Sequence, residues 1–170
     1  MTAIYLIGFM GTGKTTVGME LAEKLGYSFH DSDQVVMDRT GKSISEIFAE
    51  VGENGFRSLE QQILQSLPTE KCIIATGGGI ILKTANRKYM MENGTVIWLD
   101  ATPTEIIRRL ETDSSRPLLS GNKNEQIQSL YRQRADLYKQ DANFRVNTED
   151  KSISEIIDEI IKKKKKSETN

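Results

Sequence analysis

Gly8-Phe9-Met10-Gly11-Thr12-Gly13-Lys14-Thr15 satisfies the pattern G-x-x-x-x-G-K-[ST] at every fixed position. Such a loop works only between a strand and a helix, and its flanks have that character. Ala3-Ile4-Tyr5-Leu6-Ile7 is a nearly continuous apolar run, suited to a central strand covered on both faces. Lys14 to Leu25 reads as a helix with Val17, Leu21, Ala22 and Leu25 on one face and Gly26 as its stop. The glycines let backbone wrap closely around phosphate oxygens, and the helix start adds its positive end. Gly11, Thr12, Gly13, Lys14, Thr15 and Thr16 are therefore the expected nucleotide-holding set. Lys14 is expected to reach the β- and γ-phosphates. The Thr15 hydroxyl suits Mg²⁺, which accompanies ATP in such sites. The motif alone establishes nucleotide binding and is shared by kinases, motors and switches.

The rest of the chain repeats the strand–helix alternation. Further strands are expected at Ser28 to His30, Cys72 to Ala75, Thr95 to Leu99 and Phe144 to Asn147. A capping box at Ser43-Ile44-Ser45-Glu46 opens a helix that Gly52 and Gly55 should break, with a new helix over Phe56 to Leu67. Other helices are expected near Thr84 to Glu92, after Thr102-Pro103-Thr104-Glu105, over Glu125 to Gln140, and after Ser152-Ile153-Ser154-Glu155. Glu111 to Asn124 is polar and reads as a loop. This pattern implies an α/β fold with a mainly parallel sheet between helical layers. At 170 residues, one domain is expected.

Composition narrows the function. Lys plus Arg number 23 against 24 Asp plus Glu, leaving a net charge of -1, so a broad basic surface for nucleic acid is not expected. The single cysteine, Cys72, lies in an apolar run and reads as a small buried hydrophobe. No Cys/His spacing suggests zinc. The start of the chain shows neither a secretory leader nor a membrane span, so a cytoplasmic location is expected. Lys162 to Lys166 reads as a solvated helix end or frayed tail rather than a membrane tether.

Several residues suggest a phosphoryl acceptor. Asp31 and Asp33 follow the second strand as an acidic turn, at the sheet edge where open α/β folds bind ligands. Asp31 is expected to face the metal, since no usual metal-side aspartate ends the third strand. Asp33 is expected to orient the acceptor hydroxyl and accept its proton. Either alone would read as a helix cap. Arg57 and Glu60 share a helical face, which alone would be a surface ion pair. Arg116, in the polar loop, is placed to fold over the transferring phosphate. Arg134 suits a bidentate grip on a carboxylate and shares a face with Tyr138. Thr76-Gly77-Gly78-Gly79 ends the third strand and suggests close backbone approach to a ligand.

Taken in order, Gly8 to Thr15, Asp31-Ser32-Asp33, Gly41-Lys42-Ser43-Ile44, Phe56-Arg57 with Glu60, Thr76-Gly77-Gly78-Gly79, Arg116-Pro117-Leu118-Leu119, and Arg134 with Tyr138 resemble shikimate kinase. The resemblance runs from about Ile4 to about Ile160. It implies a three-layer P-loop kinase fold related to the nucleoside monophosphate kinases, with a five-stranded parallel sheet, a lid over residues 112–123 and an acceptor-binding segment over residues 32–60. It implies ATP and shikimate as substrates, with the γ-phosphate passing to the 3-hydroxyl. Asp33, Arg57, Gly77, Gly78, Gly79 and Arg134 would bind shikimate, with Glu60 positioning Arg57. Arg116 would come from the lid, and Arg109 would stack on adenine. A monomer without nucleic-acid or membrane partners is expected. Thr12, Thr15 and Thr16 replace smaller residues common in the family, and Thr148 to Ser152 lacks a proline often found there. The alternatives are a kinase for another small acid such as gluconate, a nucleoside monophosphate kinase, and a non-catalytic nucleotide-binding regulator.

Overall fold

The computed structural model of the chain describes residues 2–111 and 122–168. Five parallel strands form one sheet in the order β2-β3-β1-β4-β5. The strands are β1 (Ala3–Ile7), β2 (Ser28–Asp31), β3 (Cys72–Ala75), β4 (Gly94–Asp100) and β5 (Phe144–Asn147). The helices are α1 (Lys14–Leu25), α2 (Ser32–Thr40), α3 (Ile44–Ser66), α4 (Thr84–Asn93), α5 (Pro103–Glu111), α6 (Lys123–Asp141) and α7 (Ile153–Glu168). A short 3₁₀ turn spans Ile80–Leu82.

β1 is buried along its whole length because it lies between β3 and β4 and is covered on both faces. Alternation sorts its side chains. Ala3, Tyr5 and Ile7 join Ile74, Trp98 and Tyr138 in one core. Ile4 and Leu6 join Val17 and Leu21 of α1 and Ile157 and Ile160 of α7 in the other. A satellite core of Val36, Ile47, Phe56 and Ile63 joins α2 to α3. Cys72 is free and buried, as its apolar surroundings imply.

Two expectations need correction. Asp31-Ser32-Asp33 is not a turn: β2 runs through Asp31 and α2 begins at Ser32. The Asp31 carboxylate accepts the Asp33 and Gln34 N–H groups, so the helix starts where the strand ends. In α3 only Gly52 leaves helical geometry, at φ 69° and ψ -179°, and Gly55 stays within the second half. The kink needs a residue without a Cβ, because that backbone region is essentially closed to side chains.

A parallel sheet brings all carboxyl ends of its strands to one edge. Gly8, Asp31, Thr76, Asp100 and Thr148 therefore gather there.

Candidate active site

The loop after β1 folds tightly against that edge. A Cβ on Gly8 would run into the Leu99 carbonyl oxygen, so only glycine lets the chain turn off β1 here. Buried Thr12 donates its hydroxyl to the Phe9 carbonyl at 2.8 Å, bracing the loop from within. Gly13 closes the loop in the left-handed region and caps α1. Lys14 Nζ donates to the Gly8 and Phe9 carbonyls, each at 2.8 Å. The ammonium is thus held over the loop whose N–H groups would cradle phosphate. Thr16 is exposed on the first turn of α1.

Thr15 and Asp31 meet across this loop: the Thr15 hydroxyl donates to Asp31 Oδ2 at 2.7 Å. The other Asp31 oxygen caps α2. Asp31 therefore caps α2 and at the same time bonds the phosphate loop. A hydroxyl and a carboxylate, both hard oxygen donors, suit Mg²⁺, which takes few protein ligands and keeps phosphate and water oxygens.

A second group of side chains is built around the three glycines after β3. A Cβ on Gly77 would lie 2.7 Å from Asp33 Oδ1 and 3.0 Å from Glu60 Oε1. One on Gly79 would lie 2.5 Å from Arg57 Cζ. One on Gly78 would lie 3.5 Å from Arg134 Nη1. Gly77 and Gly79 thus leave the volume that Asp33, Glu60 and Arg57 occupy, Gly78 lies against Arg134, and these side chains converge on one wall.

Arg57 and Glu60 are not the surface pair that spacing alone suggests. Arg57 Nη1 donates to Glu60 Oε2 at 2.9 Å, with side chains only 12% and 1% exposed. The guanidinium also lies 5.2 Å from the Phe56 ring and 5.9 Å from the Phe48 ring, which restricts it to one direction. Burial pushes the Glu60 carboxyl up to about 6 against the opposing pull of Arg57. Its Oε1 is buried without a hydrogen-bond partner. Arg134 stands 5.8 Å over the Phe9 ring, bringing α6 against the phosphate loop. One turn on, buried Tyr138 donates its hydroxyl to the Gly78 carbonyl.

Arg109 lies on the other side of the loop. It bonds the Gly11 carbonyl at 3.3 Å and the Thr148 hydroxyl and carbonyl at 3.1 Å each, and pairs with Glu105 at 2.7 Å. Arg109 is thus tied to the phosphate loop, β5's end and its own helix. Arg116 and most of the expected lid fall outside the described residues. Among the described residues no helix is long and apolar enough to cross a membrane.

Sequence reasoning missed two contributors. Ser32, fully buried, accepts the Gly77 N–H at 3.1 Å and ties the glycine run to α2. Its position between two candidate aspartates, Asp31 and Asp33, was the available signal. Asp100, 1% exposed, accepts the Tyr131 hydroxyl at 2.9 Å. A carboxylate ending an apolar strand was the available signal there.

Comparison with known proteins identifies the family. The family model described as shikimate kinase matches residues 10–165. A shikimate kinase of Persephonella marina is 45% identical over 162 residues, covering 95% of this chain and 98% of the relative. The solved structure of a shikimate kinase from Acinetobacter baumannii in complex with shikimate superposes with a TM-score of 0.88 at 36% identity, covering 95% of this chain and 92% of that one. A gluconokinase from Sinorhizobium meliloti reaches a TM-score of 0.61 at 16% identity, over 95% of this chain and 90% of that one, a likeness of fold alone. On family model, sequence identity along nearly its whole length and shared fold, the chain belongs to the shikimate kinase family.

Proposed function

We propose that the chain transfers the γ-phosphoryl group of ATP to the 3-hydroxyl of shikimate, giving shikimate 3-phosphate and ADP on the route to chorismate. The observation that carries this reading is the acceptor wall. Two guanidinium groups, Arg57 and Arg134, share a glycine-lined wall with the Asp33 carboxylate, beside a phosphate loop. An acceptor with one carboxylate and several hydroxyls matches that set. Arg57 and Arg134 hold the carboxylate, since planar guanidinium groups can grip it through paired N–H donors. Gly77, Gly78 and Gly79 supply the wall. Glu60 fixes Arg57.

Asp33 orients the acceptor hydroxyl toward the phosphate and takes its proton as transfer proceeds. Because the transition state is loose, orientation contributes more than base strength. Gly11, Thr12, Gly13 and Thr16 shape the nucleotide site, and Lys14 places its charge against the β- and γ-phosphates. Thr15 and Asp31 hold Mg²⁺, supported by their hydroxyl–carboxylate contact of 2.7 Å. When bound, that ion neutralises phosphate charge. Arg109 stacks on the adenine, and Arg116, from a lid over residues 112–123, covers the transferring group. Residues 32–60 form the acceptor-binding segment of a single domain. We read the enzyme as a cytoplasmic monomer with no nucleic-acid or membrane partner, in keeping with its near-balanced charge.

The test is ADP release from ATP and Mg²⁺ with shikimate, gluconate, AMP or no acceptor. Turnover with shikimate alone is the expected result. Turnover only with another acceptor, or tight ATP binding with no turnover, would overturn the assignment. Arg57→Ala and Arg134→Ala should each raise the shikimate KM by about tenfold or more, the cost of losing a charge-assisted contact.

A further inference from the structure

We propose that Asp100 and Tyr131 form a positioning pair for the acceptor site: the bond between them fixes α6 at the height where Arg134 stands over Phe9 and faces Gly78. This rests on the reading of Arg134 as a carboxylate-binding residue.

Three observations converge. First, Tyr131, Arg134 and Tyr138 are spaced i, i+3 and i+7, so they lie along one face of α6. The outer two are each fixed through a hydroxyl, Tyr131 on Asp100 at 2.9 Å and Tyr138 on the Gly78 carbonyl. Arg134 lies between two anchored points. Second, the Tyr131 ring meets the Phe9 ring edge-on, with centroids 6.0 Å apart and planes at 65°. Phe9 is also the ring under Arg134. Tyr131 therefore constrains the surface on which the guanidinium rests.

Third, Asp100 is an expensive residue to bury. Its side chain is 1% exposed at the end of β4, and Arg145 Nη2 approaches its second oxygen to 2.7 Å. Its backbone carbonyl accepts the Thr148 N–H at 2.8 Å and hydroxyl at 3.1 Å. Thr148 in turn bonds Arg109. A buried carboxylate, hydrogen-bonded on one oxygen by Tyr131 and ion-paired on the other with Arg145, is a held reference point at the sheet edge. Burial pushes the Tyr131 phenol up to about 12, so it stays protonated and remains the donor. The pair acts through Arg134.

The experiment is steady-state kinetics on the full chain with shikimate and ATP varied separately. Tyr131→Phe keeps the ring against Phe9 and removes only the hydroxyl. Its shikimate KM should rise about threefold or more but less than in Arg134→Ala, because the carboxylate contact is displaced and not removed, with ATP KM and kcat within about twofold. In an Arg134→Ala background the same substitution should add no further rise, because the residue it positions is gone. Asp141→Asn serves as control. It breaks the 2.6 Å Arg87–Asp141 pair at the far end of α6 and should lower Tm without raising the shikimate KM.

An unchanged shikimate KM in Tyr131→Phe would overturn the pairing. So would effects that multiply fully with Arg134→Ala, or an equal KM rise in Asp141→Asn. If Arg134→Ala itself leaves the shikimate KM unchanged, the acceptor reading fails and the pairing with it. If Arg134→Ala raises it and Tyr131→Phe does not, only the pairing fails.

Discussion

Glu60 is expected to cost stability as pH rises, because burial holds its carboxyl above the ordinary carboxylate range. Its side chain is 1% exposed and one oxygen is unpartnered. Burial raises its carboxyl from 4.5 to about 6 despite the ion pair with Arg57. Between those values the folded state binds more protons at this site than the unfolded chain. Stability from this group is therefore fully present below pH 4.5 and is lost as pH rises through about 6. At 1.36 kcal/mol for each tenfold change, the penalty at pH 8 is about 2 kcal/mol. Glu60→Gln has the shape of the protonated acid and carries no charge. Urea denaturation should find the variant about 2 kcal/mol more stable than the parent at pH 8 and nearly equal at pH 4.5, with unchanged m-values. The same variant should bind shikimate less well, because Arg57 loses the carboxylate that directs it. Stability gained together with acceptor affinity lost would mark Glu60 as kept for function. A variant less stable than the parent at pH 8, or a difference that does not shrink on acidification, would refute the reasoning.

Gly79→Ala would place a Cβ 2.5 Å from Arg57 Cζ, so the shikimate KM should rise by about tenfold or more while ATP binding, measured by calorimetry, changes little. Lys14→Ala should lower kcat by about a hundredfold or more, since it removes charge aimed at the developing phosphoryl charge; single-turnover kinetics would show it. Gly52→Ala should cost about 1–3 kcal/mol in a thermal melt, because φ 69° with ψ -179° is closed to a residue bearing a Cβ.

Much of the site was legible because its chemistry is local. Gly8 to Thr15 carries its own context of strand and helix, and all of its fixed positions lie where the loop geometry needs them. Asp31 and Asp33 were legible as a pair, though not as the end of a strand and the start of a helix. That helix, Ser32–Thr40, has few apolar residues, and its start depends on the Asp31 cap while its packing depends on α3. A periodic signal cannot report either dependence. Arg57 and Arg134 looked solvated when taken alone, because the aromatic rings beneath them come from Phe48, Phe56 and Phe9, two of these close in sequence but oriented by the fold. Asp100 with Tyr131 and Ser32 with Gly77 join residues 31 and 45 positions apart. Pairings at that range follow from sheet order, which no short pattern carries.

The glycine run after β3 also has a consequence for how the enzyme can change. Every substitution at Gly77, Gly78 or Gly79 adds atoms, and at Gly77 and Gly79 those atoms fall within 3.0 Å of side chains already in place. At those two positions the wall can be spoiled but not tuned. Selection or engineering toward a differently shaped acceptor therefore has more room at the side chains packed against them, Asp33, Arg57 and Arg134, whose length and charge can be varied stepwise. The evolvable half of the pocket lies on the helices, and the strand end is a fixed mould.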